Sequence, residues 1–511
     1  MRSLRVPLLV ALIVIVAAFL RFYNLPNLPP GLYPDEAMNG NNALEALVTS
    51  KPVGGYELYY PENNGREGFF INIQAQFLRF LIPWNGGLPE PWMLRLPSAI
   101  FGSLTVFGLY FLGRELFSRR VGLIASFLIA TSFWHIMFSR IGFRAIMAPF
   151  LFVWGAAFFL LAIRKATTTS IPDGDGAQNG SARWSWSVRA WLLSLFAGVV
   201  FGLGFHTYIA YRITPLILLA TIPFFRRTPN FSKIAGMFVL GAFLAGLPIG
   251  LYYLAHPADF LGRTAQVSVF SSSEPLRDLG LNIAKTIGMF FVAGDFNQRH
   301  NLSGVPELFF PIGIFFIIGT VIVAKGFWRE FSKLFIVLAF LLMMLPVVIS
   351  NEGLPHALRA ILMIPPVMLA AALGAQWSYE KVTAFARPRL SGMYYRSFAQ
   401  ALVAAGFVVL TAQAAHQYFV LWANHPDTPG AFSANYVDIG REIRALPADV
   451  PKYVVVHAGG VDVRGFPTAA QTVMFMTDTF TPDKQIGKNV HYVLPDAIAN
   501  IPVGASIFEI R

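Results

Sequence analysis

Apolar runs about as long as a bilayer is thick recur along this chain, and Lys or Arg bounds most of them. A helix needs ~20 apolar residues to cross a hydrocarbon core, so this pattern dictates membrane-spanning helices before any other fold is considered. Composition agrees. Of 511 residues, 55% are hydrophobic and only 13% are charged, where a soluble chain carries about 25% charged residues. The net charge of +12 comes from cations that punctuate apolar runs. No basic tract with interleaved aromatics offers a nucleic-acid surface. Cys is absent, which excludes disulfides and thiolate metal sites.

About eleven spans are expected, at 6–22, 93–113, 121–138, 145–163, 190–208, 213–225, 234–254, 307–324, 333–350, 358–378 and 398–420. The opening "MRSLRVPLLVALIVIVAAFLRF" has the basic start of a secretory signal. Its apolar stretch is long, and no small-residue cleavage site follows, so it reads as an uncleaved first span. Placing the N-terminus in the cytoplasm puts "GRELFSRR", "FFRRTPNFSK", "KGFWREFSK" and "YEKVTAFARPRLSGMYYR" inside, as the positive-inside rule requires. The Thr/Ser/Gly/Asp-rich 166–182 stretch then reads as a disordered inner loop. The C-terminus falls outside. Counting "FFINIQAQFLRFLIPW" (69–84) as a span would invert every later loop. It reads instead as an amphipathic helix on the outer interface.

The expected outer face carries a long first loop (23–92), a second long loop (255–306) and a polar tail (421–511). The tail alternates helical "SANYVDIGREIRAL" and "PTAAQTVMFMT" with strand-like "KYVVVHA", "VHYVL" and "ASIFEI". The fold class is therefore an all-α polytopic membrane protein over 1–420, with a small extracytoplasmic α/β domain at 421–511. No internal repeat appears, which weakens a transporter built on inverted repeats.

Sorting polar residues by face isolates an outer set that mixes carboxylates, His and Arg. It holds Asp35 and Glu36 in "YPDEAMNG", Arg66 and Glu67 in "NNGREGFF", and Arg140 and Arg144 in "FSRIGFRA". It continues with His206, Tyr208 and Arg212 in "FHTYIAYR", and with Asp295, Asn297, Arg299 and His300 in "GDFNQRHN". Glu352, His356 and Arg359 in "NEGLPHALRA" complete it. Arg suits phosphate through bidentate, charge-assisted bonds. A carboxylate suits a hydroxyl as general base. Acids beside phosphate also suit a divalent cation such as Mg, Mn or Zn, with Asp35 and Glu67 as candidate ligands.

Each residue also has a plain structural reading. Asp35 can cap a helix, Glu67 can pair with Arg66, and Arg140 and Arg144 can snorkel to headgroups. His356 and Arg359 lie three apart at an expected helix start, a poor place for Arg unless an anion binds. His135, beside Trp134 in the third expected span, reads as packed. No zinc-protease, P-loop or nucleophile-elbow motif is present.

The first span, the long loop opening on Asp35-Glu36, the interfacial helix and "RLPSAIFGSLTVFGLYFLGRELFSRRVGLIASFLIA" together resemble the GT-C glycosyltransferases. Within them the chain is similar to bacterial glycosyltransferase family 39-like proteins. These are relatives of the dolichyl-phosphate-mannose protein mannosyltransferases and of the transferase that adds aminoarabinose to lipid A. The likeness covers about 30–220 and extends through "EGLPHALRA". It implies a plasma-membrane or inner-membrane enzyme that takes a polyprenyl-phosphate-linked sugar and passes it, with inversion, to a protein, lipid or glycan hydroxyl. It also implies that Asp35 is the catalytic acid of the first loop, with Glu36 beside it. Many relatives carry a "[KH]PPL"-type sequence before the interfacial helix. This chain has "GREGFF", so the position of the loop carries over but its chemistry does not, and Glu67 is read from the residues alone as a second acid. Arg359 falls where relatives set basic residues against lipid phosphate, with His356, Arg140, Arg144 and Arg212 as further candidates. A transporter or lipid-linked sugar flippase is the rival reading, and a non-catalytic assembly subunit the third.

Overall fold

The computed structural model describes residues 5–48, 55–168, 180–260, 268–351 and 353–511. Glu352 and positions 169–179 of the expected inner loop lie outside them. The chain divides into two compact units. One comprises Met1–Arg21, Phe101–Phe138 and Ala145–Val420; the other comprises Phe22–Ile100, Ser139–Arg144 and Leu421–Arg511.

The first unit is helical. Among the described residues of the whole chain, seven helices are long and apolar enough to cross a membrane: Pro91–Leu116, Arg144–Thr167, Val188–His206, Phe231–Ala255, Phe331–Val348, Ile361–Ala386 and Gly392–Trp422. Three shorter apolar helices accompany them, Val6–Phe22, Ile209–Phe225 and Phe310–Ala324.

The expected count of about eleven spans is therefore not reproduced, and the expected span at 121–138 shows why. It breaks into Arg119–Ala130 and Phe133–Phe138. The Arg21 guanidinium donates to the carbonyls of Ile129 (3.2 Å) and Ala130 (3.1 Å) and meets His135 Nδ1 at 2.7 Å. Those carbonyls would otherwise accept bonds from the next helical turn. Arg21 takes them, and the helix stops. His135 is fully buried against Arg21, as a packed residue.

Apolar helices in lipid gain little from hydrophobic burial against each other, so close backbone approach has to supply the packing. Helices Phe310–Ala324 and Ile364–Ala386 meet at Gly319 and Gly374. A Cβ on Gly319 would sit 1.8 Å from the Ala370 carbonyl oxygen, and one on Gly374 1.9 Å from that of Phe315.

In the second unit the tail and the first loop share one core. The tail forms a three-stranded parallel sheet with Lys452–Val456 in the centre, flanked by Val490–Val493 and Ser506–Ile510. The central strand holds Val454, Val455 and Val456, all buried, as a strand covered on both faces requires. Helix Ala434–Ala445 packs with helix Gln471–Thr477, and the latter seats on helix Pro34–Val48 of the first loop. Met38 of that loop joins Val454, Val473 and Ile510 in one apolar cluster. Asn41 donates to Gln471 Oε1 (2.9 Å) and Thr472 to the Leu32 carbonyl (2.9 Å). The amphipathic stretch is a helix at Phe69–Leu81. It buries Phe70, Ile71, Gln74, Ala75 and Leu78 along one stripe and leaves Phe80 and Trp84 exposed.

Gly319→Ala and Gly374→Ala should each cost about 1–3 kcal/mol through backbone overlap and lower the apparent melting temperature in detergent. Gly250→Ala, where an added Cβ meets nothing within 4 Å, is the control. Melting temperatures that do not differ among the three variants would refute the close-approach account.

Candidate active site

The candidate residues divide between the two units. In the second, helix Pro34–Val48 begins at Pro34, whose fixed φ suits a first helical position. Asp35 and Glu36 therefore both lie inside the first turn, where the helix dipole favours acids. Asp35 is not the cap. The two neighbours then diverge. Glu36 is fully buried. It receives Arg95 through Nε at 3.0 Å and a second guanidinium nitrogen at 3.2 Å, and the Gly142 amide at 2.7 Å. Arg95, equally buried, also donates to the carbonyls of Pro29 (2.6 Å) and Gly31 (2.7 Å). Asp35 is only half-buried, and its Oδ1 accepts from the Asn63 amide at 2.8 Å.

The "NNGRE" motif is a hairpin turn. Asn63, Asn64 and Gly65 all have left-handed φ (53°, 62° and 78°), a region that Asn and Gly tolerate best. The turn joins Tyr59–Tyr60 to Arg66–Glu67 in antiparallel register, with Tyr60 opposite Arg66 and Tyr59 opposite Glu67. Adjacent strand residues point to opposite faces, so Arg66 and Glu67 do not pair with each other. Arg66 donates to Asn39 and Asn42, each at 2.6 Å. Glu67 takes Arg144 Nε at 2.8 Å. Burial, and then the Arg144 charge, lower the Arg66 pKa to about 10, against the opposing pull of Asp35 and Glu62. Arg140 is fully buried, and one terminal nitrogen donates to the carbonyls of Tyr23 (2.8 Å) and Leu28 (3.0 Å).

In the first unit, Arg212 lies over the rings of Phe260 (4.2 Å) and Tyr253 (4.7 Å) and donates to the Phe260 carbonyl and the Tyr253 hydroxyl, each at 2.9 Å. Those two rings also line an apolar cavity of about 870 Å³, walled by Phe159, Phe205, Leu218 and Phe243 among others. His206 Nε2 contacts the Ala245 carbonyl at 2.8 Å. Tyr208 immediately precedes the short helix Ile209–Ile213 that carries Arg212.

Asp295 organises the second cluster. Its Oδ2 meets His300 Nδ1 at 3.0 Å, the Ala357 amide at 2.8 Å and His356 Nδ1 at 3.8 Å, and its Oδ1 accepts from the Asn297 amide at 2.8 Å. Burial would raise the Asp295 pKa. The His300 hydrogen bond and the two imidazoles outweigh it and hold the carboxyl below its usual range. The Asp295 amide donates to Glu307 Oε1 at 3.1 Å. Arg299 stands one residue before His300, its amide bonded to Asn297 Oδ1 at 3.1 Å. Arg359 follows His356 in the turn before Ile361–Met363, rather than at the start of a long helix, and its guanidinium donates to the Ser350 hydroxyl.

Sequence reasoning missed Arg95 and Glu307. Arg95 had a signal, an Arg inside an apolar run, which needs an acid partner. Glu307 opened an expected span and carried none.

Residues 87–170 match the family model of the dolichyl-phosphate-mannose-protein mannosyltransferases. No curated protein shows significant sequence similarity to the chain. Solved structures are similar in fold. One is the oligosaccharyltransferase AglB from Archaeoglobus fulgidus in complex with an inhibitory peptide and a dolichol-phosphate (15% identity, 93% of this chain, 64% of that chain, TM-score 0.52). Another is the Archaeoglobus fulgidus oligosaccharyltransferase complex with Zn and sulfate (16%, 92%, 61%, 0.51). A third is ArnT from Cupriavidus metallidurans bound to undecaprenyl phosphate (14%, 94%, 89%, 0.52). The chain thus spans less than two thirds of the archaeal enzyme. It has the GT-C fold.

Glu36→Gln leaves the buried Arg95 charge without its partner and should destabilise the protein by about 3–5 kcal/mol. Asp35→Asn should stay within about 0.5 kcal/mol. Thermal denaturation of both variants in detergent checks the contrast. Equal melting temperatures would mean that Glu36 is not the structural member of the pair.

Proposed function

We propose that the chain transfers a sugar from a polyprenyl-phosphate donor to a hydroxyl acceptor at the extracytoplasmic face of the plasma or inner membrane, with inversion. The N-terminus lies in the cytoplasm and the tail outside. The observation that carries this reading is the division of labour in "PDE": Glu36 is consumed by Arg95 and Gly142, while half-buried Asp35 keeps a carboxylate oxygen beyond its single bond to Asn63. The GT-C fold and the mannosyltransferase-type match over 87–170 support it.

In this reading Asp35 takes the proton of the acceptor hydroxyl. The freed oxygen attacks the anomeric carbon, the bond from that carbon to the phosphate oxygen breaks, and the phosphate leaves with the electron pair. Asn63 orients Asp35. Arg66 lies within electrostatic reach of Asp35 and is held by Asn39 and Asn42. Within the first unit, Arg359 and His356 suit a phosphate, and Arg212 lies beside an apolar cavity that suits an isoprenoid tail. The cavity suits this role because its wall is aliphatic and aromatic and its cation lies over two of its own rings. Arg144 with Glu67, and Arg140 with its two carbonyls, brace the unit that carries Asp35. Hexose and pentose donors, and protein, lipid and glycan acceptors, all fit this scheme.

Loss of a general base typically costs 10²–10⁴ in rate. Asp35→Asn should lower consumption of labelled polyprenyl-phosphate sugars by at least about 100-fold in membranes with equal protein levels. Turnover like the wild type with every donor of a hexose and pentose panel would sink the assignment. Ala235→Trp, which fills the cavity, should raise KM for a long-chain donor several-fold and leave KM for a short-chain donor unchanged. Equal effects on both would remove the cavity from the donor site.

A further inference from the structure

We propose that Asp295, His300 and His356 form a binding site for one divalent first-row transition metal of the zinc type. The inference rests on the geometry of the first unit and stands whether or not the sugar-transfer reading holds. Two separate loops supply the three residues, and one ligand atom from each lies within 4.8 Å of the other two. Metal–ligand bonds of about 2.0–2.1 Å in a tetrahedral set put ligand atoms roughly 3.3 Å apart. His300 Nδ1 at 3.0 Å and His356 Nδ1 at 3.8 Å from Asp295 Oδ2 bracket that spacing, so small ring rotations complete the set.

His356 is placed by its own loop: its Nδ1 lies 3.4 Å from the Arg359 amide and 3.8 Å from Asp295 Oδ2. The supporting bonds are those of a metal site as well. Backbone amides of Asn297 and Ala357 aim the Asp295 carboxylate, each at 2.8 Å. The Trp134 indole holds the Ala357 carbonyl at 3.0 Å, and the Phe138 ring stands 5.6 Å from the His300 ring. Such outer partners orient ligands and tune affinity.

Two imidazoles and one carboxylate favour Zn or a neighbouring first-row ion over Mg or Ca, which prefer all-oxygen shells. Three protein ligands leave one position for water. Binding sends the proton shared by His300 and Asp295 to solvent, and the metal takes its place. The metal would tie the loop before helix Phe310–Ala324 to the loop before helix Ile364–Ala386.

The test uses the full chain, purified in detergent with a tag free of His, stripped with chelator and equilibrated with micromolar zinc. Elemental analysis should find about one zinc per chain in the wild type and at least tenfold less in His356→Gln and His300→Gln. Cobalt in place of zinc should give visible d–d absorption in the wild type that both variants lose. Chelator should lower the melting temperature of the wild type and leave that of His356→Gln unchanged. His356 is only half-buried, so its variant reads out even where His300→Gln fails to fold. Less than about 0.1 zinc per wild-type chain, or equal zinc in wild type and His356→Gln, would overturn the site.

Discussion

The buried ion pair of Glu36 and Arg95 is the constraint on which the second unit depends. Two opposite charges with no exposed surface persist only when nearly every donor and acceptor is used, and here they are. Arg95 gives its N–H groups to Glu36 and to the carbonyls of Pro29 and Gly31, and Glu36 adds the Gly142 amide. Three stretches of chain are thereby fixed to one another: the turn before helix Pro34–Val48, the start of helix Pro91–Leu116, and residues 139–144. The pair sets where that helix begins, and so where Asp35 stands. Asp35 is placed by its buried neighbour and bonded by the Asn63 side chain.

The same accounting sorts the arginines. A guanidinium has five N–H donors and cannot shed its charge in a protein, so at membrane depth it must be filled. Arg21 and Arg140 donate to backbone carbonyls at a helix end and in a turn. Arg66 and Arg144 are filled by side chains. A cation committed in this way meets a phosphate only by giving up bonds that water cannot replace. Arg212 differs. It is stacked on aromatic faces, beside a wall with almost no polar groups. It also gives N–H groups to the Phe260 carbonyl and the Tyr253 hydroxyl, which hold the guanidinium beside that wall.

Much of this was legible in the sequence because its signals were periodic or local. Apolar length gave the helices. The amphipathic run at 69–84 read as a helix, which the structure has at Phe69–Leu81. The β-branched runs at 452–456, 490–493 and 506–510 read as strands. Pairing was not legible. Parallel order among three strands separated by helices depends on packing that no single run encodes. Glu67 was expected to pair with its neighbour Arg66, and strand alternation sends it to Arg144 instead. The break at Thr131–Ser132 was hidden for the same reason: the agent that stops the helix, Arg21, lies in another segment. Asp295, His300 and His356 were each visible as polar residues in loops, but only the fold brings them to one point.

Polar residues in an apolar chain thus do two kinds of work, and burial separates them. Where a buried charge is bonded to its counter-ion and to backbone groups, as at Glu36 and Arg95, or to carbonyls, as at Arg21, it is spent on holding the backbone. Chemistry requires the opposite condition, an ionised or lone-pair-bearing atom held in place with capacity left over. Asp35 meets it through one bond to Asn63 and partial exposure. Asp295 meets it differently. It is buried, yet its two amide bonds fix the carboxylate while both imidazoles crowd a single oxygen. Two imidazoles from separate loops at one carboxylate oxygen set Asp295 apart from Glu36, whose partners are a guanidinium and an amide, and this donor set is the one the proposed cation site requires.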